Sequence, residues 1–245
     1  MTEPKIIYED KDFLVVDKPA GFVVHAPRTK EPKGDCVSHA GVEPAPPLLT
    51  DWLLKKYPEL KNVGDDPSTR PGIVHRLDKD TSGVMIVPRS QEYFEYAKAL
   101  FKNHEVKKIY LAVVAGAPQK KEGTIDAPIG IRNGTMKRST RSAKMAKSAV
   151  TSYKALKTFE APDARGEPAT FSLLEVSPTT GRTHQIRVHL ASIGHPIVGD
   201  ALYGPKRQPP WAARLMLHAR SIEFPKEDGH RARFDAEVPT YPQFF

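Results

Sequence analysis

The chain has 245 residues, which is enough to bury a hydrophobic core as a single domain. Its 37 Lys and Arg exceed its 29 Asp and Glu and give a net charge of +8, which favours a polyanionic partner. The lone cysteine, Cys36, excludes an internal disulfide, the charged N-terminus is atypical of a signal peptide, and no apolar run approaches the length of a membrane span. We therefore expect a cytoplasmic protein.

The first predicted element is a β-hairpin. Apolar and β-branched residues predict strands over residues 5–9 and 13–17, joined by a charged turn. Residues 27–49 are rich in Pro and Gly and are predicted to form a loop insertion. Thr50 is expected to cap a short helix over residues 51–57, because threonine side chains accept hydrogen bonds from free N–H groups at a helix start.

The stretch at residues 72–90 has an unusual pattern. Ile73 and Val74 predict one strand and residues 84–87 predict another, with the mostly polar segment HRLDKDTSG at residues 75–83 between them. A hairpin turn needs only roughly two to five residues, so this segment is longer than a turn requires. Its plainest interpretation is nevertheless a solvated turn with incidental charges.

Two metal-dependent interpretations of this segment fail on spacing. Asp78 and Asp80 match the first half of an EF-hand calcium loop, but Arg89 stands where that loop needs a bidentate glutamate. The same two aspartates are also typical of phosphatases with an aspartyl nucleophile, which need a later acidic cluster that we do not find in the sequence. We therefore predict no metal site.

Two further elements follow in the next forty residues. Ser90 is predicted to cap a helix that runs to about residue 104, with its aromatic side chains in the core. A β-rich run at residues 106–116 contains Tyr110, which the twofold period of a strand places on the same face as Ala112 and Val114. Without other information, Tyr110 is a half-buried packing residue.

The third quarter of the chain is basic. Residues 131–147 contain six Lys or Arg and no acidic residue, which is typical of a solvated face and is equally compatible with contacts to phosphates. Strands are predicted at residues 148–159 and 169–177.

A helix is predicted between Thr183, as its cap, and Gly194, with Ile186, Leu190 and Ile193 on one face. Arg187 lies at the edge of the buried side of this helix, where an arginine needs a carboxylate partner. Two further strands are expected at residues 214–224 and 232–238, and the aromatic residues 241–245 are expected to pack against the core.

The segment HRLDKDTSG resembles the catalytic signature of the RluA family of pseudouridine synthases. Four other motifs occur in the order that the family has them: DKPAG at residues 17–21, KIYLAVVAG at 108–116, GRTHQIRVHL at 181–190 and LHA at 217–219. The resemblance implies that Asp78 is the catalytic aspartate, that Arg187 pairs with it, and that Tyr110 lies against the target base. It further implies that Arg76 helps to fill the gap left by the target base, and Arg76, His75 and Leu217 are the candidate substrate-binding residues.

The resemblance also implies the fold and the activity. We expect an α+β fold in which helices flank a bent, mixed, mostly antiparallel sheet, as one domain over residues 1–245 without the family's N-terminal ribosomal-protein-like RNA-binding module. The expected activity is the isomerisation of uridines in structured ribosomal or transfer RNA by a monomer without a cofactor. The sequence contains neither a P-loop nor a dinucleotide-binding fingerprint. An RNA-binding protein without catalysis and a hydrolase with an aspartyl nucleophile remain alternatives.

Overall fold

The computed structural model describes residues 2–26, 45–131, 137–141 and 145–239. The predicted insertion at residues 27–49 lies largely outside these ranges, as do parts of the basic run and the aromatic residues 241–245. No helix in the described ranges has the length and apolar composition that a membrane crossing requires.

Eleven strands, three α-helices and one 3₁₀ helix, Pro58–Asn62, occur in the described residues. The strands are β1 Lys5–Glu9, β2 Phe13–Lys18, β3 Ser82–Pro88, β4 Lys107–Ala115, β5 Glu122–Asp126, β6 Gly130–Ile131, β7 Arg138–Ser139, β8 Val150–Pro162, β9 Pro168–Pro178, β10 Leu217–Pro225 and β11 Arg231–Asp235. The helices are α1 Leu49–Lys56, α2 Gln91–Lys102 and α3 Gln185–Ser192.

Nine of the described strands form one sheet in the order β1-β2-β3-β10-β4-β9-β8-β5, with β11 paired to β10. All its pairs are antiparallel except β3 with β10. The prediction of a mixed, mostly antiparallel sheet with flanking helices is therefore confirmed. The parallel pair joins two distant parts of the chain at the middle of the sheet, through the last two residues of the HRLDKDTSG segment.

The close approach of β3 and β10 explains the glycine that ends this segment. Gly83 has φ +117, a conformation that other residues rarely adopt, and a Cβ at this position would clash with the backbone carbonyl of Ala219. Only glycine allows the two strands to pair in this register, in which Ser82 lies opposite His218 and Gly83 opposite Ala219. The Thr-Ser-Gly sequence thus fixes the position of the loop before it.

Two hydrophobic clusters lie on either side of the middle of the sheet. The first contains side chains of β2, β3, α1 and α2, and the second contains side chains of β4, β9 and α3. Tyr110 on β4 contacts both clusters. A cleft between the two clusters is therefore bordered by elements from both halves of the chain.

The predicted strand at Ile73 and Val74 is wrong. Ile73 is buried in the first cluster, but the chain here is a turn and irregular loop that follows Gly72, whose φ is +68. The N–H of Ile86 in β3 donates to the side chain of His75, at Nε2 over 3.0 Å, where a neighbouring strand would have offered a backbone carbonyl. The β-branched residues indicate burial, and a loop packed on the sheet buries them as well as a strand does.

Two of the three predicted helix caps are also wrong. The N–H groups of Leu49 and Thr50 donate to the backbone carbonyls of Val23 and Val24, so α1 begins without a side-chain cap. Helix α3 begins after His184 without a side-chain cap, and the N–H of Gln185 donates to the backbone carbonyl of Arg182. Backbone carbonyls satisfy these N–H groups as well as a threonine side chain would.

The cap at Ser90 is confirmed, because its hydroxyl accepts the N–H of Tyr93. In α3, Ile186 and Leu190 are buried as expected, but Ile193 is exposed, because the helix ends at Ser192 and Ile193 lies just beyond it. The helix ends before Gly194, which has φ +87 as expected for a residue that follows a helix.

Candidate active site

A cavity of about 420 Å³ lies at the centre of the sheet, between the two hydrophobic clusters. It is bordered by the loop that precedes β3, the start of α3, and residues of β4 and β10. Its charged lining among the described residues is one carboxylate, Asp78, and six basic side chains: Arg70, Arg76, Lys102, Lys108, Arg182 and Arg187. A cleft with this excess of positive charge attracts a polyanion.

Asp78 lies in this cleft and contacts Arg187. The Arg187 Nη1 atom donates to Asp78 Oδ2 over 3.1 Å, and the side chains are 11% and 21% exposed, respectively. Within the part of the chain that the structure describes, no hydrogen bond is made to Asp78 Oδ1. The carboxylate that the sequence required for Arg187 is thus present, with one oxygen held and the other available to a ligand.

A second carboxylate, Asp200, holds Arg187 from the other side. Its two oxygens accept from Arg187 Nε and Nη2 over 2.7 and 2.9 Å, and the N–H groups of Leu202 and Tyr203 also donate to it. The Asp200 side chain is fully buried. This bidentate pair fixes the guanidinium plane, and with it the nitrogen that contacts Asp78.

The charges in this arrangement stabilise one another. Burial alone would lower the pKa of Arg187, but the hydrogen bonds and charges of Asp200 and Asp78 raise it above its usual value. Burial alone would raise the pKa of Asp200, but Arg187 and the two N–H groups bring it below its usual value. Arg187 and Asp200 are therefore both ionised at neutral pH.

Tyr110 and Leu217 line the cleft beside Asp78. They are on adjacent strands, because Leu217 of β10 pairs with Ala112 of β4. Burial and the charge of Asp78 raise the pKa of Tyr110 well above its usual value, so its hydroxyl is protonated. His218, the residue after Leu217, turns away and bonds Ser82 across the parallel pair, 2.9 Å from its hydroxyl.

The predicted substrate-binding residues His75 and Arg76 differ in their surroundings. Burial, together with the charge of Lys108, lowers the pKa of His75 to about 3, and its neutral ring accepts the N–H of Ile86 and stacks on Phe101. Although His75 lines the cleft, these contacts give it a part in holding the loop. Arg76 is exposed at the rim, with Nη1 3.4 Å from His25 Nε2.

The sequence alone does not reveal two lysines whose side chains point inward, Lys18, which is buried, and Lys108, which is half-buried. Lys18 is fully buried and its Nζ donates to the carbonyls of Pro19, Phe22 and Lys79, which attaches the first hairpin to the Asp78 loop. Burial lowers the pKa of Lys18 to about 7. Lys108 lines the cleft, and burial lowers its pKa to about 8. Lys18 lies in the DKPAG motif and Lys108 in the KIYLAVVAG motif, but only the fold shows that their side chains point inward.

The described part of the basic run reaches the same region. The short strands β6 and β7 form a hairpin, and the N–H of Arg138 in β7 donates to the hydroxyl of Tyr203 over 2.9 Å. Lys137 and Arg141 flank this strand. The basic run therefore lies next to the loop that carries Asp200.

Comparison with known proteins identifies relatives along most of the chain. Residues 12–192 match the family model described as RNA pseudouridylate synthase. The chain is 40% identical over 233 residues to ribosomal large subunit pseudouridine synthase D of Pseudomonas aeruginosa. The alignment covers 95% of this chain and 63% of that protein. It is 41% identical over 225 residues to an uncharacterized RNA pseudouridine synthase of Chloroflexus aurantiacus. This alignment covers 91% of this chain and 62% of that protein. The chain thus spans a little under two thirds of the length of these relatives.

Solved structures show the same fold. The human protein RNA pseudouridylate synthase domain containing 1 superposes with a TM-score of 0.71 and 27% identity, covering 99% of this chain and 86% of that one. The human protein RNA pseudouridylate synthase domain containing 4 superposes with a TM-score of 0.64 and 25% identity, covering 96% and 88%.

Proposed function

The chain belongs to the RNA pseudouridylate synthase family, and from this premise we propose that it isomerises uridine to pseudouridine in RNA with Asp78 as the catalytic carboxylate. The observation that carries the proposal is the geometry of Asp78, whose Oδ2 is held by Arg187 in a cleft lined by basic side chains. The family membership agrees with the resemblance noted in the sequence.

The cleft chemistry favours catalysis over RNA binding alone. A binding surface for a polyanion gains nothing from a carboxylate at its centre, because that carboxylate repels phosphates. Here the carboxylate is held by an arginine that is itself fixed by a buried aspartate. Such an arrangement is useful where a carboxylate must react, and it therefore supports an enzyme.

The reaction breaks the bond between the uracil nitrogen and the ribose, turns the base, and joins the ribose to carbon 5. Carbon 5 then loses its proton to solvent, and the freed nitrogen gains one. The Asp78 carboxylate performs the first step either by attack on the sugar or by removal of a ribose proton. Arg187 holds and orients the carboxylate in both cases. Neither alternative changes an oxidation state or transfers a phosphate, so the proposed chemistry needs no cofactor.

A uridine within structured RNA has to leave the base stack to reach Asp78. Arg76 lies two residues before Asp78 and is exposed at the rim of the cleft, where its side chain can enter the gap that the uridine leaves. Tyr110 and Leu217 lie inside the cleft, where they can contact the uracil. The cleft thus offers separate contacts for the extruded base and for the RNA around it.

Two of the relatives, from Pseudomonas aeruginosa and Nitrosomonas europaea, are named for the large ribosomal subunit. We therefore propose large-subunit ribosomal RNA as the substrate, with transfer RNA as the alternative. Mapping pseudouridine across both RNA classes, in cells with and without the gene, tests the proposal. If one or more pseudouridine sites are absent from cells that lack the gene, the proposal is supported. An unchanged map in both RNA classes contradicts it.

Tyr110→Phe should slow turnover strongly while leaving RNA affinity nearly unchanged. The ring that contacts the base is kept, but the hydroxyl that we propose assists proton removal from carbon 5 is lost. Single-turnover rates at saturating RNA and binding titrations separate the two effects. A wild-type rate in the Phe variant would make Tyr110 a packing residue, and Tyr96→Phe, whose hydroxyl binds Pro225 outside the cleft, is the matched control.

Neutralising Lys137, Arg138 and Arg141 together should weaken binding to RNA of every sequence. If these side chains contact phosphates, the slope of log affinity against log salt should fall by up to about one unit for each lost contact. Binding titrations at several salt concentrations measure the slope. An unchanged slope would show that the basic run faces solvent.

A further inference from the structure

His184 has a left-handed backbone conformation, which is uncommon for residues other than glycine. It precedes helix α3 with φ 57 and ψ 21. Such a conformation is retained where the surrounding structure holds the residue in place, and it often occurs at functional sites. The conformation carries the imidazole into the cleft beside Asp78, where its side chain is 20% exposed.

Tyr203 determines which nitrogen of this imidazole carries the proton. The Tyr203 hydroxyl oxygen accepts the N–H of Arg138 over 2.9 Å and lies 2.9 Å from His184 Nδ1. Burial raises the pKa of Tyr203, so its hydroxyl keeps a proton that needs an acceptor. Among the described residues His184 Nδ1 is the acceptor within reach, because the Arg138 N–H can only donate. The hydroxyl therefore donates to Nδ1, and the proton of the neutral ring lies on Nε2.

The Nε2 atom faces the reacting carboxylate. It lies 3.8 Å from Asp78 Oδ2, the same oxygen that Arg187 contacts over 3.1 Å. The charged groups that face the ring are Asp78, Arg187, Asp200 and Arg138. Burial lowers the pKa of His184 and the charge of Arg187 lowers it further, against the opposing effect of Asp78, so the ring is neutral at neutral pH. Catalytic hydrogen bonds are often long in the absence of substrate and shorten when the substrate binds.

We propose that His184 is a positioning residue, which donates its Nε2 hydrogen to Asp78 Oδ2 when a uridine fills the cleft. Two donors, Arg187 and His184, then hold Oδ2 and leave Oδ1 to attack the ribose or to accept its proton. This inference rests on the proposed function and adds to it a residue whose contribution is made through Asp78. Tyr203 supports the same arrangement by fixing the tautomer of His184.

Asparagine and glutamine at position 184 distinguish this role from a structural one. Asparagine tolerates the left-handed conformation best and places its amide near the position of Nδ1, so His184→Asn keeps the backbone and the contact with Tyr203 but loses the donor to Asp78. Glutamine is more strained in this conformation than histidine, but it places its amide nitrogen near the position of Nε2, so His184→Gln keeps the donor. A structural role favours asparagine, and the proposed role favours glutamine.

The experiment measures single-turnover pseudouridine formation at saturating RNA, normalised to the fraction of protein that binds RNA. We expect His184→Asn to lose at least about tenfold in rate, as for the loss of a hydrogen bond to a charged group, and His184→Gln to stay within about threefold of wild type. Both variants should bind RNA as the wild type does. A wild-type rate in the Asn variant, or equal losses in both variants, would overturn the role of His184. A wild-type protein without turnover would instead overturn the proposed function.

Discussion

Asp78→Asn should give a folded protein that binds RNA but no longer forms pseudouridine. Asparagine is nearly isosteric with aspartate, and its amide oxygen can still accept the hydrogen bond from Arg187, which now reaches Asp78 Oδ2. The amide can neither attack a carbon atom nor accept a proton, and both open mechanisms require one of these steps. The barrier should rise by on the order of 5 kcal/mol or more, which is several orders of magnitude in rate.

Asp80→Asn is the matched control for this substitution. Asp80 lies two residues further along the same loop, is exposed, and is outside the lining of the cleft. The change in charge is the same, so we expect a modest loss at most. Substantial pseudouridine formation by the Asp78→Asn protein would contradict the catalytic assignment, and an equal collapse in the Asp80 control would show that any change in loop charge is sufficient.

Arg187→Met should abolish activity and destabilise the fold. Methionine preserves the approximate length and the apolar stem, but the substitution leaves Asp200 buried without its counter-ion and Asp78 without its hydrogen bond. Removing one partner of a buried ion pair costs about 3–5 kcal/mol, so the free energy of unfolding should fall by about this amount. Denaturant unfolding and the single-turnover rate measure the two effects.

The double variant Arg187→Met/Asp200→Asn separates stability from catalysis. It removes the buried uncompensated charge of Asp200, so most of the lost stability should return. Activity should stay absent, because Asp78 still lacks the donor to Oδ2. Recovery of activity along with stability would show that Arg187 supports the fold and contributes little to the reaction.

The fold could be predicted where local sequence decides the structure. The first hairpin, the helix capped by Ser90 and the long strands β8 and β9 follow from alternation, spacing and capping. Ile73 and Val74 were assigned to a strand because β-branched residues indicate burial and not the partner that buries them. The predicted threonine caps of α1 and α3 are wrong because backbone carbonyls, of Val23 and Val24 for α1 and of Arg182 for α3, accept from the N–H groups there.

The site was predictable only in part, for a similar reason. The need of Arg187 for a carboxylate followed from its place on a helix, and the resemblance supplied Asp78. Asp200 could not be found in this way, because it lies in a loop without periodicity and its two bonds to Arg187 depend on the tertiary fold. The left-handed conformation of His184 has no signal in the sequence either. The extent of the domain, over residues 1–245, stays a prediction.

Release of tritium from carbon 5 of labelled uridine tests the central claim most directly. The substrate is ribosomal and transfer RNA from cells that lack the gene, with enough monovalent salt to keep the RNA folded and with a chelator present, because the proposed isomerisation needs no metal. The account predicts that the purified wild-type protein releases tritium in a fixed ratio to its target sites and that the Asp78→Asn protein releases none. Absence of release from both RNA classes, or release that stops when the chelator is added, would contradict it.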